Sequence, residues 1–98
     1  MLCPTPAPLL CDARGRPYFL WDVEMTLDEL RVMLRSDDLD ERAYWIGKVM
    51  RQAKPDDALV LVETAEMRAL WPRIERYLGD KRAFWLWLLE KSAHAEPA

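Results

Sequence analysis

The chain has 98 residues, 51% of them hydrophobic and 32% charged, with a formal net charge of −3. That length suits one domain with a modest core and excludes a large internal cavity. The charge gives no pull toward nucleic acid or an anionic membrane, and three glycines with few β-branched residues argue against a many-stranded sheet.

Residues 1–16 carry Pro4, Pro6 and Pro8, then Arg14-Gly15-Arg16, and read as a flexible arm anchored by Leu9-Leu10. Cys3 and Cys11 have neither metal-ligand spacing nor the numbers of a disulfide framework. No basic segment precedes an apolar run at the N-terminus, and no apolar stretch is long enough to span a bilayer. A cytoplasmic protein is expected, with residues 17–93 as one helical domain and 94–98 as a frayed tail.

Pro17-Tyr18-Phe19-Leu20-Trp21-Asp22 sets three aromatics and a leucine between a proline and an acid. Its content is strand-like, but no second strand is evident, and a lone strand cannot satisfy its backbone. An extended or tightly turned segment is expected, with Phe19 and Trp21 plugging a groove between helices. Each such ring removes on the order of 150–250 Å² from water. Asp22 is expected to bond nearby backbone amides or an arginine.

Thr26 and Glu29 make a T-x-x-E capping box, with Met25 and Leu30 placed for a hydrophobic staple. The first helix is predicted over 26–35, with Leu27, Leu30, Met33 and Leu34 as its apolar stripe. Asp37 or Asp38 caps the second, whose apolar face runs through Leu39, Ala43, Ile46, Met50 and Ala53. Gly47 on that helix suggests a close approach by another element, and Pro55 ends it. Residues 55–62 read either as a short buried helix, with proline at its first position, or as a buried strand; the lack of a partner strand favours the helix.

Thr64 is expected to cap the next helix, which Pro72 ends near Leu70 or kinks before Ile74, Tyr77 and Leu78. Gly79 fits a C′ position and Asp80 an N-cap for a last helix over 81–93. The run Ala83 to Leu89 is apolar around the whole circumference, so this helix is either central or buries a second face against another chain. Trp85 and Trp87 point about 200° apart on such a helix. They cannot both face one core, and the one left outside is a candidate interface anchor. The fold class is thus all-α: a compact bundle of about five short helices with the aromatic segment packed on it.

The catalytic inventory is thin. The single histidine, His94, lies in the tail, and no nucleophile–base pair is in sight among Ser36, Ser92 and the two cysteines. Asp37, Asp38, Asp40 and Glu41 lack the glycine and distal glutamate of a calcium loop and serve helix capping instead. No phosphate-cradling glycine motif occurs. No cofactor, metal or small-molecule substrate is implied. Residues 22–41 carry a net charge of −6 and residues 68–82 a net of +3, as solvated faces or internal pairs.

The Pro17–Asp22 segment ahead of a Thr-capped helix resembles a group of short bacterial proteins with a similar Phe/Leu-Trp-Asp hallmark. Arg42-Ala43-Tyr44-Trp45-Ile46, Ala53-Lys54-Pro55-Asp56-Asp57, Leu70-Trp71-Pro72-Arg73 and Arg82-Ala83-Phe84-Trp85 extend the resemblance over residues 17–90. Leu59 and Leu61 depart from it, standing where similar proteins have aromatics, a change that repacks the core. Some members resemble small partners of abortive-infection or toxin–antitoxin nucleotidyltransferases, which implies an antitoxin-like regulator. The resemblance supplies no active-site residues.

Two readings follow. In the first, the chain is a non-enzymatic interaction module that binds a protein partner or a second copy through its closing helix, with Trp85, Trp87, Leu88 and Arg82 as candidate partner-binding residues. Tyr18, Phe19, Trp21 and Asp22 are its structural hallmark. In the alternative, the basic stretch 68–82 makes it a DNA-binding autoregulator, although Pro72 interrupts any recognition helix.

Overall fold

The computed structural model describes residues 3–95, with side chains as far as residue 92. Its helices start where local chemistry directs them. The Thr26 hydroxyl accepts from the Glu29 amide at 3.2 Å, and the Glu29 carboxylate accepts from the Thr26 amide at 3.0 Å, closing the capping box. After a one-turn helix α1 (Ala7–Leu10), this box opens α2 (Leu27–Met33). Asp38 caps α3 (Leu39–Gln52) by accepting from the amides of Asp40 and Glu41. Pro55 heads α4 (Pro55–Leu61), so the 55–62 segment is helix and not strand.

Thr64 is not a cap. It is the first residue of α5 (Thr64–Ala69), with Glu63 in the cap position. Pro72 breaks the chain at Leu70 and sits in the first turn of α6 (Trp71–Ile74), where a missing N–H is harmless. A 3₁₀ turn (Glu75–Tyr77) follows, and Gly79 then takes a left-handed φ of 54°. Asp80 lies inside a second 3₁₀ turn (Gly79–Lys81), not at an N-cap, and α7 runs Arg82–Ala95. Its backbone thus passes the expected end at 93. Residues 96–98 of the expected tail, and the His94 side chain, lie outside what is described.

The protein is all-α, with no strand among the described residues. The expected five helices are α2, α3, α4, the broken α5–α6 pair and α7. Helix α3 is the centre: α2, α4, α6 and both 3₁₀ turns pack on it, and α7 packs on α5 and the second turn. Phe19, Leu30, Ile46, Val49, Met67, Ile74, Leu78 and Trp85 fill the core at 0–1% exposure. The Cα radius of gyration is 13.3 Å, near the ~13 Å of a compact 100-residue globule.

The arm is tied to the domain. The Asp57 carboxylate accepts from both the amide and the hydroxyl of Thr5 at 2.6 Å, and from the Tyr18 hydroxyl. Cys11 and Pro17 form an antiparallel bridge, flanked by bonds from the Tyr18 amide to the Leu10 carbonyl and from the Asp12 amide to the Arg16 carbonyl, each 2.9 Å. The arm is therefore the backbone partner that the aromatic segment appeared to lack.

Beyond the bridge the segment turns twice. The Leu20 amide donates to the Pro17 carbonyl and the Val23 amide to the Leu20 carbonyl. Turning destroys the two-residue alternation of a strand, so the neighbours Phe19 and Leu20 both face inward. Trp21 is carried outward and is 76% exposed, which corrects the expectation that it plugs the core. Phe19 does plug it.

Candidate functional site

The two tryptophans of α7 divide as helix geometry requires. Trp85 is buried at 1%, with its indole N–H donating to the Met50 carbonyl at 2.7 Å. It is a core residue and so cannot contribute surface to a partner. Trp87 is 53% exposed, and Phe84 beside it is 38% exposed, with ring centroids 6.2 Å apart. Leu88 is half-buried against the core, and the Lys91 ammonium lies 5.0 Å from the centre of the Trp87 ring. Phe84, Trp87, Leu88 and Lys91 fall at i, i+3, i+4 and i+7, a spacing that puts them on one outer face.

Next to this face runs an apolar groove of about 270 Å³, lined by Arg68, Trp71, Leu86, Leu89 and Glu90. Leu86 and Glu90 adjoin Trp87 around the helix, about 100° and 60° away respectively. Groove and outer face therefore make one strip. Phe84, Lys91 and the Trp71–Leu86 groove were not singled out from sequence. The i, i+3, i+7 spacing of Phe84, Trp87 and Lys91 was the signal available; the groove depends on how α5 and α6 meet α7.

Arg82 stands exposed at the start of α7, its Nε 3.4 Å from Glu75 Oε1. Arg73 and Arg76 of the basic stretch are similarly engaged. Arg73 pairs with Asp40 of the acidic segment, and the Arg76 guanidinium sits 5.0 Å from the centre of the Tyr77 ring. Residues 68–82 span the end of α5, the four residues of α6 and two 3₁₀ turns, which gives no helix of the length that reads a DNA groove.

The hallmark residues separate into three roles. Phe19 is core. Tyr18 joins the arm to α4: its hydroxyl donates to Asp57 and accepts from the Lys54 amide at 2.9 Å. Burial, reinforced by the bond to Asp57, pushes the Tyr18 hydroxyl pKa up. Burial also works against ionisation of Asp57, but the bonds from Thr5 and Tyr18 outweigh it, and its carboxyl stays below the usual range.

The long-range partners of Asp22 are a lysine and a glutamine in place of an arginine, and its own backbone amide also helps to lower its pKa. Its Oδ2 takes the Lys48 ammonium at 2.6 Å and its Oδ1 takes the Gln52 amide at 3.2 Å; Lys48 above all holds its pKa down. Lys48 is itself 8% exposed on α3, one turn from Gln52. Sequence pattern could not supply these partners, which lie 26 and 30 residues away.

Trp21 and Asp22 share a cleft of about 430 Å³ with Arg51, Gln52, Asp80 and Lys81. No group of His, Cys, Asp and Glu among the described residues is arranged to hold a metal ion. Asp38 spends its carboxylate on capping α3. Cys3 and Cys11 are free thiols, and burial raises the Cys11 pKa. No helix among the described residues is long and apolar enough to cross a membrane. No protein-family model, curated protein or solved structure matches the chain.

Proposed function

We propose that this chain is a non-enzymatic protein-interaction module, and that the strip formed by the outer face of α7 and its groove takes an amphipathic helix of a partner protein. One observation carries the reading: Trp87 and Phe84 stay exposed on a helix whose opposite side is anchored by the buried Trp85. Tryptophan is the residue type most enriched among binding hot spots, and Arg68 and Glu90 give the groove a polar rim. The groove suits the helix-in-groove mode, in which apolar anchors at i, i+3 and i+4 of the ligand enter it.

A second copy of the chain fits less well. The two exposed rings present only on the order of 100 Å² each, and a symmetric pairing of them falls far short of the roughly 1,000 Å² of a stable interface. A partner that also fills the groove covers more. The resemblance of the hallmark segment supplies a candidate, a nucleotidyltransferase of the toxin–antitoxin type, which would make this chain its antitoxin-like regulator.

Co-expression with a nucleotidyltransferase encoded beside the gene tests this. The two are expected to co-purify, and Trp87→Ala and Phe84→Ala to abolish the complex, Trp87→Ala with little change in melting temperature and Phe84→Ala with a modest drop from its lost edge contact to Trp85. Light scattering of the chain alone separates the other occupant. A concentration-dependent dimer broken by Trp87→Ala would move the strip to self-association, and a soluble monomer whose complex ignores both substitutions sinks the reading.

A further inference from the structure

The cleft beside Trp21 carries a second inference, independent of the α7 strip. Its floor is fixed: Lys48 and Gln52 hold Asp22, and Gln52 also donates to the Phe19 carbonyl at 2.6 Å. Asp22 retains unused lone pairs, and Gln52, donating through its nitrogen, presents its oxygen as an acceptor. One wall is the Trp21 ring, left out of the core by the double turn.

The other wall is cationic. Arg51, one turn along α3 from Lys48, and Lys81 line the cleft, and the side chain of neither makes an ion pair or hydrogen bond among the described residues. Asp80 lines the same cleft and forms a salt bridge with neither. The Arg51 guanidinium lies beside Gly79, 3.8 Å from where a Cβ would stand there. Lys48, outside the lining, balances the charge of Asp22, so Arg51 and Lys81 face the single remaining carboxylate, Asp80.

We propose that this cleft binds a nucleoside monophosphate whose base carries an exocyclic amine, with the base on Trp21, the amine toward Asp22 and Gln52, and the phosphate on Arg51 and Lys81. Each wall meets its complement: an aromatic plate for a π-face, acceptors for an amine, paired cations for a dianion. A volume near 430 Å³ lies within the range of small-ligand sites. A phosphotyrosine side chain would use the plate and the cations but has no donor for Asp22, which ranks it below a nucleotide.

Calorimetric titration of the full chain at low salt with AMP, CMP, UMP, adenosine and ribose 5-phosphate tests the proposal. AMP and CMP are expected to bind about tenfold or more tighter than the other three, since UMP lacks the amine, adenosine the phosphate and ribose 5-phosphate the base. Trp21→Ala and Arg51→Ala, both at exposed positions, are each expected to weaken AMP by about tenfold with an unchanged melting temperature. Amide shifts on adding AMP should gather at residues 21–22, 51–52 and 80–81. The proposal is overturned if AMP does not saturate at millimolar concentration, if ribose 5-phosphate or phosphotyrosine binds as tightly, or if both variants bind as the parent does.

Discussion

The indole N–H of Trp85 closes a carbonyl that α3 itself leaves open, that of Met50. The amide that would serve this carbonyl in a continuing helix belongs to Lys54, and it donates instead to the Tyr18 hydroxyl. Both groups come free because Pro55 starts a new helix directly after the break at Ala53 and Lys54. One aromatic from the hallmark segment and one from the closing helix thus satisfy the two halves of a single broken backbone bond.

Trp85→Phe is therefore expected to keep most of the packing and still destabilise the fold by about 1–3 kcal/mol, because the buried carbonyl loses its donor. Trp85→Ala adds a cavity and is expected to cost about 3–5 kcal/mol. Urea unfolding of the two variants against the parent measures both; a Phe variant as stable as the parent would show that the bond contributes nothing.

Acid should loosen the arm first. The Asp57 carboxyl is held below its ordinary value in the fold, so its contribution is fully present above the unfolded pKa of about 4 and is lost as pH falls through the lower, folded one. Asp22, lowered chiefly by its bond to Lys48, acts in the same direction. Thr5→Ala removes one of the three bonds to Asp57 and should raise the midpoint of acid unfolding, while costing about 1 kcal/mol at pH 7. Circular dichroism titrated from pH 7 to 2 reads the midpoint, and a Thr5→Ala curve that overlays the parent's would remove Asp57 from the account.

Gly47 sits mid-helix, where alanine ordinarily gains about 1 kcal/mol. Here a Cβ would stand 2.9 Å from Tyr77 Cβ and 3.3 Å from its ring. The obstruction lies at the root of the tyrosine, so the 3₁₀ turn must move, at an overpacking cost of about 1–3 kcal/mol. Gly47→Ala is expected to be net destabilising by about 1 kcal/mol, lowering the melting temperature by several degrees. A thermal melt that instead rises would mean that Tyr77 gives way freely.

Features decided within one turn of chain were legible in the sequence. The Thr26–Glu29 box, the Asp38 cap, proline at the head of α4 and the left-handed Gly79 all follow from neighbours a few residues apart. Gly47 was legible as a close approach, though not the identity of Tyr77. Trp21 was misread because a strand-like composition hides a double turn, and its outward direction depends on two backbone bonds that composition does not encode. The partners of Asp22 and Asp57 come from 26 to 52 residues away and emerge only once the arm, α3 and α4 are assembled. For the α7 strip, sequence supplied the opposed tryptophans and the structure decided which one is outside.

The closure at residues 50–54 also bears on synthesis. As the chain leaves the ribosome, α3 is finished long before its last open carbonyl can be met, since Trp85 emerges 35 residues after Met50. Until then the groove that the Trp85 ring fills is empty, and the helices already made have no lid. N-terminal segments that stop short of α7 are therefore expected to be poor autonomous units, because the Met50 carbonyl and the space for the Trp85 ring would both stay open. The helix that we propose offers its outer face to a partner is the same one whose arrival completes the fold.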